Sequence, residues 1–200
     1  MFYYERKYSK QGYDGIIGVD EVGVGPLAGP VVAAAVMLKA KRFKNRIDDS
    51  KQLTSAQREK AFFEIIEHAF FGIGIVNEKI IDRVNILEAT RIAMEEAVRK
   101  LAYELRAFPY KRIMVLIDGT LKPQITFPFT TIIKGDTKSK SIAAASIVAK
   151  VTRDRIMNIY DRVYPCYGFL HHKGYPTRMH RNALAQFGRS LIHRVSFCHD

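Results

Sequence analysis

The chain has 200 residues, 48% of them hydrophobic, so it can bury a sizeable core as one domain without disulfides or a structural metal. Its 32 Lys and Arg outnumber 20 Asp and Glu to give a formal charge of +12, which attracts polyanions, nucleic acid first among them. Cys166 and Cys198 are too far apart for a disulfide framework or a zinc site, and no apolar run suits a signal peptide or a membrane span; a soluble, cytoplasmic protein is expected.

The stretch 15–38 opens with Ile16, Ile17 and Val19, which fit a buried strand, and then places Asp20 and Glu21 where that strand should end. Gly23, Gly25, Pro26, Gly29 and Pro30 follow, and Val31 begins a second apolar run to Leu38. The pattern predicts two antiparallel strands joined by a glycine and proline loop. Residues 39–53 form a charged connector, after which Thr54 and Gln57 make a capping box for a helix carrying Ala61, Phe62, Ile65, Ile66 and Ala69 at helical spacing. Residues 70–76 suit a short strand. Asn85 and Glu88 open another helix, with Leu87, Arg91, Met94, Val98, Leu101 and Leu105 along one side. Residues 113–117 are all apolar and predict a buried strand ending in Asp118-Gly119; residues 130–133 predict another, ending in Lys134-Gly135-Asp136. A long helix then runs until Pro165 stops it. A turn-rich stretch 164–175 and a short helix from Thr177 to about Phe187, ended by Gly188, complete the chain.

Three apolar strands thus each deliver a carboxylate at or just beyond the C-terminal end. If the first pairs in parallel with those ending at Asp118 and Asp136, neighbouring strand ends lie about 4.8 Å apart and the acids converge. Several carboxylates at such spacing need a cation, and hard oxygen ligands select magnesium or manganese. A site completed by substrate phosphate oxygens suits two-metal phosphodiester hydrolysis, one ion generating the attacking hydroxide and the other stabilising the leaving 3′ oxygen. Beside it, Gly23, Gly25 and Gly29 would let backbone N–H and C=O groups approach a sugar hydroxyl, although taken alone the glycines need do no more than turn the chain. The loop does not open a helix, which excludes the dinucleotide fingerprint, and Ser141 and Ser146 lack the strained elbow of a nucleophile.

Gly18-Val19-Asp20-Glu21 with Gly23, Gly25, Pro26, Leu27, Ala28, Gly29, Pro30 and Val31 resembles the opening motif of ribonuclease HII, the type 2 ribonuclease H. The resemblance continues through residues 49–53, Asp118-Gly119, residues 134–136, 141–146 and 149–151, His172-Lys173-Gly174-Tyr175 and the closing residues 193–197. It implies an α/β, ribonuclease H-like fold: a mixed five-stranded sheet flanked by helices, over residues 1–200, with about 165–200 as a C-terminal loop and helix segment that contributes to substrate binding. It further implies cleavage of the RNA strand of RNA/DNA hybrids and incision of DNA at embedded ribonucleotides, leaving 5′-phosphate and 3′-hydroxyl ends. By motif, Asp20, Glu21, Asp118 and Asp136 are the catalytic metal ligands, for Mg2+ or Mn2+. Gly23, Val24, Gly25, Lys51, Lys173 and Tyr175 are the nucleic-acid contacts, with Tyr175 stacking on a deoxyribose. No protein partner is evident, and a monomer is expected.

Val24 departs from the family, which normally has arginine between the two glycines. Backbone recognition of a ribose 2′-hydroxyl survives that change, but a bidentate phosphate contact does not. A catalytically weakened nucleic-acid-binding protein of the same fold is therefore the alternative. Among the remaining polar residues, Asp48, Asp49, Asp154 and Asp161 follow no buried strand and are not read as metal ligands, and Asp154 is expected to form a structural ion pair with Arg153. Lys138, Lys140 and Lys150 fit a solvated face. His171, His172 and His180 suit hydrogen bonding or phosphate contact better than a metal cluster.

Overall fold

The computed structural model describes residues 1–40 and 42–198. A helix, α1 (Tyr3–Lys10), precedes strands β1 (Gly15–Val22) and β2 (Val31–Leu38). Then come α2 (Ser55–His68), β3 (Ala69–Val76), α3 (Glu78–Val84), α4 (Ile86–Leu105), β4 (Ile113–Asp118), β5 (Phe129–Ile132), α5 (Lys140–Val163), α6 (Phe169–His172) and α7 (Arg178–Phe187). The five strands form one mixed sheet in the order β3-β2-β1-β4-β5. β1 is antiparallel to β2 and parallel to β4, and β4 is parallel to β5. Among the described residues no helix is long and apolar enough to cross a membrane.

Alternation along β1 sorts its side chains between two layers. Ile17 and Val19 join the core beneath α4, with Ala89, Ala93, Met94, Ala97 and Leu101. Gly18 and Asp20 face α5, whose Ala143, Ala144 and Ala145 are fully buried. A Cβ on Gly18 would stand 2.1 Å from the Ser141 carbonyl carbon, so the helix can lie this close only over a glycine. On the other side of α5, Ala61, Phe62 and Ile65 of α2 complete a second core.

The expected elements are present, with shifts at their ends. β1 does not stop at the acids but continues to Val22, because β2 pairs with it as far as Val22↔Val32. Leu87, placed on the buried side of α4 by spacing, is 60% exposed, and small alanines carry that contact instead. Helices α1 and α3 had no apolar stripe to announce them. α3 begins at Asn77, whose side chain accepts from the Ile80 N–H, and Asn85 then caps α4 from a left-handed conformation (φ 69°).

Candidate active site

The parallel strands bring the acids to one edge. Val19 pairs with Ile117, so Asp20 lies one residue past the last β1–β4 pair, level with Asp118; Asp118 pairs with Ile132, and Asp136 follows on a 3₁₀ turn (Gly135–Thr137). Lys134 is left-handed (φ 54°), which turns the chain so that the Gly135 N–H donates to Asp118 Oδ1 at 2.7 Å. The Gly119 N–H donates to the same oxygen at 2.9 Å. Asp20 and Glu21 point to opposite faces of β1, as adjacent strand residues must; Asp20 is 6% exposed and accepts from the Glu21 N–H at 2.7 Å.

Electrostatics ties the four carboxylates together. Burial, then Glu21 and Asp118, push Asp20 well above the usual carboxylate range. Burial and Asp118 push Glu21 up to about 7, and burial, Asp118 and Asp49 raise Asp136. Lys51 answers them: its Nζ is 3.7 Å from Asp136, and Asp49, Asp136, Asp20 and Asp118 together hold its proton more tightly than partial burial loosens it. The acids nevertheless stop short of a closed cage. Among the described residues no group of three or more His, Cys, Asp or Glu side chains is placed to hold a metal ion. As a donor set the four fit a hard divalent ion: all are oxygen ligands, and burial and neighbouring carboxylates raise the proton affinity of three of them.

Ser146 on α5 partly offsets the rise at Asp20, and its Oγ lies 2.9 Å from that of Ser50, which docks the turn carrying Lys51 onto the site. Sequence placed both serines within the family motifs and set Ser146 aside as a nucleophile, but gave neither a role beside Asp20. Asp49 is closer to the centre than its position within the connector suggested, since it shifts both Asp136 and Lys51. The other acids are structural: Asp48 pairs with Arg46, Asp154 with Lys150 and Asp161 with the Leu170 N–H.

Arg153 corrects the expectation of a structural ion pair with Asp154, which pairs with Lys150 instead. It is fully buried and donates to the carbonyls of Pro30, Ala28 and Lys173. Arg194, likewise buried, donates to Gly23, Val24 and Gly29. The glycine loop is therefore wrapped around two guanidiniums, and its Gly23 and Val24 carbonyls, expected to be open to a sugar, are already engaged. Gly23 is required here: its φ is 96°, and a Cβ would stand 2.4 Å from Arg153 Nε. Gly25 is exposed, with nothing within 4 Å of a Cβ.

Tyr175 is brought to this loop. Its ring stacks 5.7 Å from the Arg153 guanidinium, and the Leu27 N–H donates to Gly174 O. Lys173 faces away, its ammonium held by Asn158 Oδ1 and Leu170 O, each at 2.6 Å. His171 is exposed, whereas His172 and His180 are buried and stacked 4.4 Å apart. Their partners are protein groups. His172 Nε2 donates to Tyr167 O, His180 Nδ1 to Tyr175 O, and His180 Nε2 meets His193 Nε2 at 3.0 Å.

A mixed sheet with carboxylates gathered at the ends of its parallel strands, beside a backbone loop and under a basic charge, defines a nuclease of the ribonuclease H fold. The family described as ribonuclease HII matches residues 17–200. A ribonuclease HII from Pseudothermotoga lettingae is 50% identical over 197 residues, covering 98% of this chain and 83% of its own. Two solved structures share the fold: the PCNA:RNase HII complex from Archaeoglobus fulgidus (21% identity, TM-score 0.71, 93% of this chain and 96% of that one) and Bst-RNase HIII in complex with Mn2+ (20%, 0.73, 92% and 67%). The chain belongs to the ribonuclease HII family. It is a metal-dependent endoribonuclease that hydrolyses the RNA strand of RNA/DNA hybrids, which sets aside the binding-only alternative.

Proposed function

We propose that Asp20, Glu21, Asp118 and Asp136 hold a pair of divalent cations, Mg2+ or Mn2+, and that the enzyme also incises DNA at embedded ribonucleotides. The observation that carries this reading is the gathering of Asp20, Glu21 and Asp136 around Asp118 at adjoining strand ends, where burial and the Asp118 charge raise the proton affinity of all three, a charge density that calls for cations. When bound, such a pair supplies Lewis acidity that activates a water and neutralises charge on the leaving 3′ oxygen. The carboxylates position the ions, and the Gly119 and Gly135 N–H groups hold Asp118 in place. Lys51, whose side chain is 81% exposed beside Asp136, meets the substrate phosphate; Lys173, with its ammonium committed to Asn158 and Leu170, is the weaker contact. In-line attack on phosphorus leaves a 5′-phosphate and a 3′-hydroxyl. Gly23, Val24 and Gly25 meet the ribose through backbone, and Tyr175 supplies a sugar-stacking surface.

The Archaeoglobus fulgidus relative is found with PCNA, so a protein partner is not denied to this chain. Cleavage of an RNA/DNA hybrid and of a duplex with one ribonucleotide, each with magnesium and with manganese, tests the proposal against an Asp118→Asn control. Metal-dependent cutting of both, lost in the control, is expected. Cutting of the hybrid alone would remove the embedded-ribonucleotide activity from the reading.

A further inference from the structure

Two arginines in this chain are fully buried, and neither forms an ion pair among the described residues. Burying a cation without a carboxylate against it is costly unless dipoles replace its water. Here carbonyls do so. Arg153 Nε donates to Pro30 O at 2.9 Å and Nη2 to Ala28 O at 3.1 Å; Arg194 Nη2 donates to Gly23 O at 2.6 Å and to Gly29 O at 2.8 Å, and Nη1 to Val24 O at 3.0 Å. These acceptors lie on one loop, residues 23–30.

The arrangement has a direction. With the Gly23 and Val24 carbonyls turned inward, the N–H groups of Val24 and Gly25 are left without a hydrogen bond among the described residues, and the space beside Gly25 is open. We propose that Arg194, with Arg153 bracing the same loop at Ala28 and Pro30, is a positioning residue for substrate discrimination, aiming those two N–H groups outward as the donors that a ribose hydroxyl meets. This rests on the reading of residues 23–25 as a substrate contact. The C-terminal segment holds the device from behind: Asp82 on α3 accepts from the Val195 and Ser196 N–H groups at 2.9 and 3.0 Å, and the Arg194 N–H donates to Leu27 O at 2.8 Å. A duplex with one ribonucleotide offers a single hydroxyl to find, whereas a hybrid offers one at every step, so misaimed donors harm the former more.

Arg194→Lys keeps the charge but cannot span the fork of carbonyls. Its kcat/KM for the single-ribonucleotide duplex, divided by that for the hybrid, is expected to fall about tenfold, with a shift of the Val24 and Gly25 amide signals. That ratio is independent of the fraction of enzyme folded, so a merely structural role would leave it unchanged. Gly25→Ala, whose Cβ meets no protein atom, separates the two ideas. Loss of activity in Gly25→Ala with an unchanged ratio in Arg194→Lys overturns the arginine proposal alone; no effect of Gly25→Ala overturns the loop contact and the proposal with it. If Arg194→Lys does not fold, Asp82→Asn loosens the same segment from outside. A smaller fall in the ratio supports the proposal, and no fall overturns it.

Discussion

Asp20 carries the clearest conflict between folding and chemistry. Its carboxylate is buried beside Glu21 and Asp118, and its raised proton affinity means that ionisation costs stability at neutral pH. Asp20→Asn should therefore abolish hybrid cleavage, by a factor of about 100 or more. It should also raise Tm, measured in chelator, by about 2–4 °C for each kcal/mol of repulsion relieved. A variant less stable than the parent would show that the site is not under electrostatic strain. Val24 makes a second case. The loop backbone is held from inside by Arg153 and Arg194, so an arginine at position 24 has a set place from which to reach a phosphate. Val24→Arg should raise cleavage at a single ribonucleotide relative to the hybrid; an unchanged ratio would deny the side chain that role. The acids were legible because a carboxylate after an apolar strand is conspicuous. Arg153 and Arg194 were not, since a guanidinium in sequence reads as surface and nothing local says that three carbonyls will surround each.

Helix α5 depends on what the sheet allows beneath it. Gly18→Ala would drive a methyl group to 2.1 Å from the Ser141 backbone, and the whole helix, with Ser146, would have to lift from β1. A cost of about 1–3 kcal/mol, seen as a Tm lower by several degrees, is expected, and hybrid cleavage should fall because Asp20 loses its hydroxyl partner. The C-terminal segment has its own sensitivity. The N–H and Oγ of Ser190 both reach His193 Nδ1, and His193 Nε2 meets His180, so a proton on either facing ring sets two N–H groups against each other. Burial and then His180 lower His193 from 6.5 to about 4. Between those values the unfolded chain binds the extra proton, so this contribution is complete above 6.5 and is lost as pH falls toward 4. Amide exchange of residues 190–194 should accelerate relative to β1 when pH drops from about 7.5 to about 5, after correction for intrinsic rates; equal change in both would rule the histidines out as the cause. Strands and long helices were readable from their periods, but α3, at seven residues and largely polar on one side, offered too short a pattern.

For the whole molecule, a charge of +12 predicts binding to RNA/DNA hybrid that weakens more than about tenfold between roughly 50 and 200 mM salt, measured in chelator with the Asp118→Asn protein. A flat dependence would mean that the basic residues do not face the duplex. Sequence alone determined the identities of the strands, the helix caps at Thr54, Asn85 and Thr177, and the presence of carboxylates at the strand ends, because each is set by residue type at short spacing. Tertiary structure alone decided that β1, β4 and β5 run parallel so that Asp20, Asp118 and Asp136 share an edge. It also decided that Ser50 and Ser146 join that edge, and that two arginines far apart in the chain turn the glycine loop inside out. The physical reason is that burial and charge act through space: a group's partners, and so its proton affinity and direction, depend on segments about a hundred residues away that local pattern cannot supply.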